Sequence, residues 1–281
     1  MIIFNFPDRA CQTLDELSQK AYYITHYEHV KTYLGYFGHI RLIDADTTIV
    51  TDRHNNNFTV ALHGKGKKII FDYSDFDYNV LDMTLFDSRT PYFKFHTTKN
   101  TNPRCIAFPP MSFTDWDDYH YLKDSISYNP QGSIFYKCRI YGGATERRTQ
   151  VLDMLKGYYG VPVDFTFVMQ SNYFQSMNDC RINVIVPGAR NDILDRTHLQ
   201  SFAYGIPVIT PYISTILPFG MQFEPNVDYI ECASDFSDVI ELIDRYKDNK
   251  KYLDFISNNC KNKFSKTCSL EAVQSWVLQN I

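Results

Sequence analysis

Short apolar runs alternate with amphipathic stretches along most of this chain, the pattern of a parallel α/β protein. The clearest instance lies between Arg181 and Phe219. An apolar run, Ile182 to Val186, ends at Pro187-Gly188. An amphipathic segment from Asp195 to Tyr204 stops at Gly205 and leads into a β-branched run over Pro207 to Thr210. The pattern predicts strand, loop, helix, strand, the unit that builds a parallel sheet. Such sheets bind ligands beyond the carboxyl ends of their strands. That is where the pattern puts Arg190, Asn191, Asp192, Arg196 and His198. Arg196 adds charge to the positive end of a helix dipole, which is costly unless an anion sits there. A phosphate or diphosphate is one reading; a surface loop arginine is the other.

Upstream, strands are expected at Ile2 to Asn5, Ile40 to Ile43, Thr47 to Thr51, Phe58 to Leu62, Lys68 to Phe71 and Cys105 to Phe108. A helix runs from a capping box, Thr13 with Glu16, to about Leu34. Pro91 to Pro110 otherwise reads as coil. Asn129-Pro130-Gln131-Gly132 is the best linker, dividing the chain into domains 1–130 and 131–281. Beyond it, Ser133 to Tyr141 is a strand and Gly142-Gly143-Ala144 a turn. A helix N-capped by Thr145 runs to Tyr158, with Val151, Leu152, Leu155 and Tyr158 on one face. A strand over Val163 to Met169, a short helix over Tyr173 to Met177 and an edge strand over Tyr229 to Glu231 follow. Helices then start at Ser234-Asp235, around Tyr252 to Ile256, and at Leu270, the last carrying Val273, Trp276 and Val277. The expected fold is a compact α/β chain of two Rossmann-like domains, their parallel sheets facing a cleft.

Three stretches carry candidate chemistry. A glycine turn feeding a helix whose first turn holds Glu146, Arg147 and Arg148 is an anion site by geometry and charge; a surface pair on that turn is the competing reading. Asp44-Ala45-Asp46 follows an apolar run and would suit a divalent metal held by hard oxygen ligands; continuation of the strand through Thr47 is the competing reading. Asp72, Asp75 and Asp77 cluster after a strand among aromatics, near His63-Gly64-Lys65-Gly66-Lys67. One carboxylate or imidazole there could take a proton from an acceptor hydroxyl; Asp75 and His63 come first, then Asp72. A solvated acidic loop is the plainer reading. Trp116 to Tyr121 would stack sugar rings or cover the core.

The set Arg196, Gly205, Pro207-Val208-Ile209 and Leu217-Pro218-Phe219 resembles the C-terminal pattern of nucleotide-sugar glycosyltransferases of the two-Rossmann (GT-B) type. It looks closest to the exostosin-like and CAP10-like families, over roughly residues 133 to 245. The carboxylate those families place five residues before the glycine is Gln200 here. The resemblance implies transfer of a hexose or pentose from a nucleoside diphosphate sugar, UDP-sugar first, to a glycan. It implies inversion with no metal and no cofactor, with Gln200 leaving the stereochemistry open. The donor residues would be Arg139, Gly142, Gly143, Arg147, Arg148, Pro187, Gly188, Arg190, Arg196, His198 and Gln200. The C-terminal helix would pack back on the first domain through Trp276. Alternatives are a phage DNA-base glycosyltransferase, a metal-dependent GT-A enzyme using Asp44 and Asp46, and a non-catalytic sugar- or nucleotide-binding protein. A basic face from Lys65, Lys67, Lys68, Lys94, Lys99 and Arg104 would mark the DNA reading.

Composition narrows this. A net charge of −4 argues against nonspecific nucleic-acid binding. Seven scattered cysteines with no CxxC pair suit free thiols in a reducing compartment. The amino terminus lacks a basic, apolar leader, and no apolar run approaches ~20 residues. The expectation is a cytoplasmic protein without a membrane span, in the host cytoplasm if virus-encoded.

Overall fold

The computed structural model describes residues 2–6, 48–52, 68–72, 87–110, 116–140, 142–165, 170–188 and 190–281. The chain divides into two units. The first comprises Met1–Trp116, Ile216–Met221 and Leu270–Ile281; the second comprises Asp117–Thr215 and Gln222–Ser269.

The first unit holds β1 (Ile2–Phe6), β2 (Thr48–Asp52), β3 (Lys68–Asp72), β4 (Tyr92–Lys94) and β5 (Cys105–Ala107), paired in that order. Every pairing is parallel, with Ile3 against Ile49 and Ile49 against Ile69. Strand β4 falls in the stretch read as coil. Pro91 and a lysine disguise it, yet Tyr92, Phe93 and Lys94 are all buried. The helix at 13–34 and the strands at 40–43 and 58–62 lie outside the described residues.

The second unit contains α1 (Trp116–Leu122, which starts at the boundary), β6 (Ser133–Phe135), a 3₁₀ turn at Gly142–Ala144, α2 (Thr145–Lys156), β7 (Val163–Asp164) and α3 (Gln170–Ser176). It continues with β8 (Cys180–Val184), α4 (Arg196–Ala203), β9 (Val208–Thr210), β10 (Ile230–Glu231), α5 (Val239–Tyr246) and α6 (Lys250–Thr267). The last helix, α7 (Leu270–Gln279), belongs to the first unit. The second sheet is also wholly parallel, ordered β10-β9-β8-β6-β7. Strands β6, β8, β9 and β10 bring Ile134, Ile182, Val184, Ile209 and Ile230 into one core with Val151 and Leu155 of α2 and Leu253 and Ile256 of α6. Two parallel, Rossmann-like sheets are therefore what the alternation in the sequence encodes.

Several boundaries differ from the sequence reading, among them those of β6, α5 and α6. Strand β6 stops at Phe135 because its neighbour β7 stops at Asp164; Tyr136 makes the last bond, N–H to the Asp164 carbonyl, at 3.2 Å. Helix α5 starts at Val239 because Phe236 has φ 61° and breaks a helix begun at Ser234. The helix read around Tyr252 to Ile256 spans Lys250–Thr267.

Candidate functional site

In the second sheet the chain steps from β6 to β7 on one side, then returns to β8 on the other. The carboxyl ends of β6 and β8 thus flank a topological switch point, the place where open parallel sheets hold ligands. The sequence supplies both walls. After β6 comes the exposed pair Gly142-Gly143, Gly142 with φ 65°, a conformation favoured by glycine. An added Cβ at either glycine would meet nothing within 4 Å, so the approach is open. After β8 comes Val186-Pro187-Gly188.

Two arginines from the first turn of α2 reach across. Arg148 donates through Nε and Nη2 to the Val186 carbonyl at 3.3 and 3.2 Å, and through Nη1 to the Arg139 carbonyl at 2.6 Å. Arg147 Nη2 donates to the Gly188 carbonyl at 3.0 Å. Its Nε is buried with no partner among the described residues. Asn191, whose Nδ2 donates to the Ser234 carbonyl at 2.7 Å, likewise has a buried, unpartnered Oδ1. Thr145, read from sequence as the cap, is instead the first residue of α2. Its hydroxyl donates to the Gly142 carbonyl at 2.8 Å, and Ala144 at the cap position makes no side-chain bond. Burial pushes the Cys138 thiol up in the same loop, which makes it a poor nucleophile.

The start of α4 is built differently. Asp195 caps it, accepting from the backbone N–H of Thr197 at 2.9 Å and of His198 at 3.4 Å. The anion favoured by the helix dipole is thus the protein's own carboxylate. Burial would raise that carboxyl, but the His198 ring and the two amides outweigh it and hold it below the usual value of 3.8. His198 is fully buried: Nδ1 lies 3.1 Å from the Asp195 N–H and from Oδ1, and Nε2 lies 2.9 Å from Thr210 Oγ1. It fixes the end of β9 and is closed to a ligand. Gln200 is also buried. Arg190 forms a two-pronged pair with Asp192 at 2.9 and 3.0 Å, and Ser214 Oγ donates to the same carboxylate at 2.8 Å. Arg147, Arg148, Arg139, Pro187 and Gly188 thus lie together at the switch point. Arg190 extends the second wall, while His198 and Gln200 lie beneath the surface.

In the first unit, Asp72 ends β3 and is buried. Lys94 Nζ lies 3.3 Å from its Oδ1, and the Tyr92 hydroxyl donates to its Oδ2 at 2.6 Å. Lys94, fully buried in this pair, takes no part in a basic surface. Asp44, Asp46, His63, Lys65, Lys67 and Asp75 lie outside the described residues. Among the described residues no three His, Cys, Asp or Glu side chains converge as metal ligands. The six cysteines among the described residues are free thiols, and no described helix is long and apolar enough to cross a membrane.

No protein-family model and no curated protein matches the sequence. Solved structures do match in fold. The crystal structure of a glycosyltransferase from Rickettsia africae ESF-5 aligns over 90% of this chain and 78% of its own, with a TM-score of 0.51 and 11% identity. At that identity the likeness is one of fold.

Proposed function

We propose that this protein is a glycosyltransferase that moves a hexose or pentose from a nucleoside diphosphate sugar to a glycan acceptor, inverting the anomeric centre without a metal. The observation that carries this reading is the pair Arg147–Arg148, held across a switch point beside an open diglycine turn. A leaving diphosphate gains negative charge as the bond to the anomeric carbon breaks. Fixed cationic donors stabilise that charge more in the transition state than in the ground state. The uncapped α2 N-terminus offers donors of the right sign. The resemblance of the Arg196 to Phe219 motif and the fold likeness to a glycosyltransferase agree with this chemistry. In the first unit the base is assigned to Asp75, with His63 as second candidate. Asp72, with both oxygens engaged, would support that region rather than meet the acceptor.

The test is thermal unfolding with nucleoside diphosphates and their sugars, with and without EDTA. A ligand bound only to the folded state raises its stability by mass action. A shift with one nucleoside diphosphate that is indifferent to EDTA and lost in Arg148→Ala is the expected result. No shift with any nucleotide sinks the proposal, and a shift abolished by EDTA moves it to the metal-dependent class.

A further inference from the structure

The first unit contains an aromatic residue that folding alone does not explain. Phe219 has φ 62°, a backbone state that bulky side chains rarely adopt. The residue is nevertheless 41% exposed, so burial does not offset the strain. The state is imposed from both sides. Ile216 N–H donates to the Thr97 carbonyl at 2.7 Å, and Thr97 Oγ1 donates to the Ile216 carbonyl at 2.8 Å. Leu217, fully buried, donates its N–H to the Met221 carbonyl at 2.7 Å. Pro218 fixes the backbone just before Phe219. The Phe219 ring stands 4.8 Å from that of Trp276, tilted by 59°. The indole Nε1 donates to the carbonyl of Ala107, the last residue of β5, at 2.7 Å. The next residue, Gly220, borders open space: an added Cβ would meet nothing within 4 Å.

The pair therefore stands over the carboxyl end of β5, and the turn carrying Phe219 is bonded to the chain just past β4. These are the strand ends where a parallel sheet receives its ligand. Strain held in place by its surroundings clusters at ligand sites. We propose that Phe219 and Trp276 form a stacking platform for a pyranose ring of the acceptor glycan, a class of ligand that rests on the glycosyltransferase reading. One face of a pyranose presents C–H bonds carrying positive charge density, and these pack on the negative face of an aromatic ring. The satisfied indole N–H fixes the tryptophan, and the locked backbone fixes the phenylalanine, so little side-chain freedom is lost on binding.

Trp276 reports on the site directly, because the chain has only one other tryptophan, Trp116. In full-length protein carrying Trp116→Phe, the emission of Trp276 is followed against maltoheptaose, chitotetraose, xylotetraose and a mannose oligosaccharide. A saturable change with at least one of them is expected. It should survive Phe219→Tyr and weaken about tenfold in Phe219→Leu, which keeps apolar bulk without a π face. Phe219→Asn should abolish it without lowering the melting temperature, since asparagine tolerates positive φ. No saturable response to any oligosaccharide, or one unchanged in Phe219→Leu, overturns the platform. Nucleotide binding in the second unit is read separately by thermal shift, so loss of the donor site and loss of the platform are distinguishable results.

Discussion

Helices α2 and α4 both begin with arginines at the carboxyl edge of the second sheet, and they begin in opposite ways. At α4, Asp195 and His198 close the end with a reciprocal cap. At α2, no side chain caps the end, the approach is a bare diglycine turn, and two guanidiniums bridge to the neighbouring loop. Both ends carry the same dipole; the first turn of α2 holds Glu146 and two arginines, that of α4 one arginine. One is capped by its own acid; the other has no side-chain cap. On the proposed reading, an arginine in a first helical turn marks a binding site only when the residue before the helix is not already an acid.

The largest effect that would break this contrast concerns affinity. Arg148→Ala is expected to weaken nucleoside diphosphate binding about 10- to 150-fold, the factor for one charged hydrogen bond. Arg196→Ala at the closed end should cost less than about tenfold, and titration calorimetry compares the two. Equal losses would erase the distinction.

Next in size is stability. Asp195→Ala removes a working cap and should cost about 1–2 kcal/mol, lowering the melting temperature by several degrees. Thr145→Ala, at the end with no side-chain cap, should stay within about 0.5 kcal/mol.

The smallest effect is in pH. The folded-state value of Asp195 is depressed below 3.8. Its contribution is therefore present above the unfolded value and is lost as pH falls through the lower folded one. The melting temperature of the wild type should fall more steeply below about pH 4 than that of Asp195→Asn. Parallel curves would mean the carboxylate charge contributes nothing.

The stretch from Ile182 to Thr210 was legible because its periodicity, its acid before a helix and its terminal glycine all agree; Gly205 indeed sits at φ 68°. Where residue type and geometry part company, the sequence misleads. Lys94 reads as a surface cation, but a paired aspartate lets it be buried in a strand. His198 reads as a ligand contact, but serves the cap. Nothing in the letters of Phe236 or Phe219 announces a left-handed backbone; in both cases the surrounding hydrogen bonds decide it. The convergence of Arg147 on Gly188 is equally silent, since it depends on a strand order that reverses between β6 and β8.

The route of the chain has a consequence for how such a protein can change. Ile216–Met221 and Leu270–Ile281 belong to the first unit, although both follow most of the second in the gene. A crossover near residue 130 that imported a new second half would also replace Phe219 and Trp276, stripping Ala107 of its indole partner. The two halves of this coding sequence are therefore not exchangeable cassettes. A new specificity in one unit has to arise by point substitution, with the other unit's residues inherited alongside it.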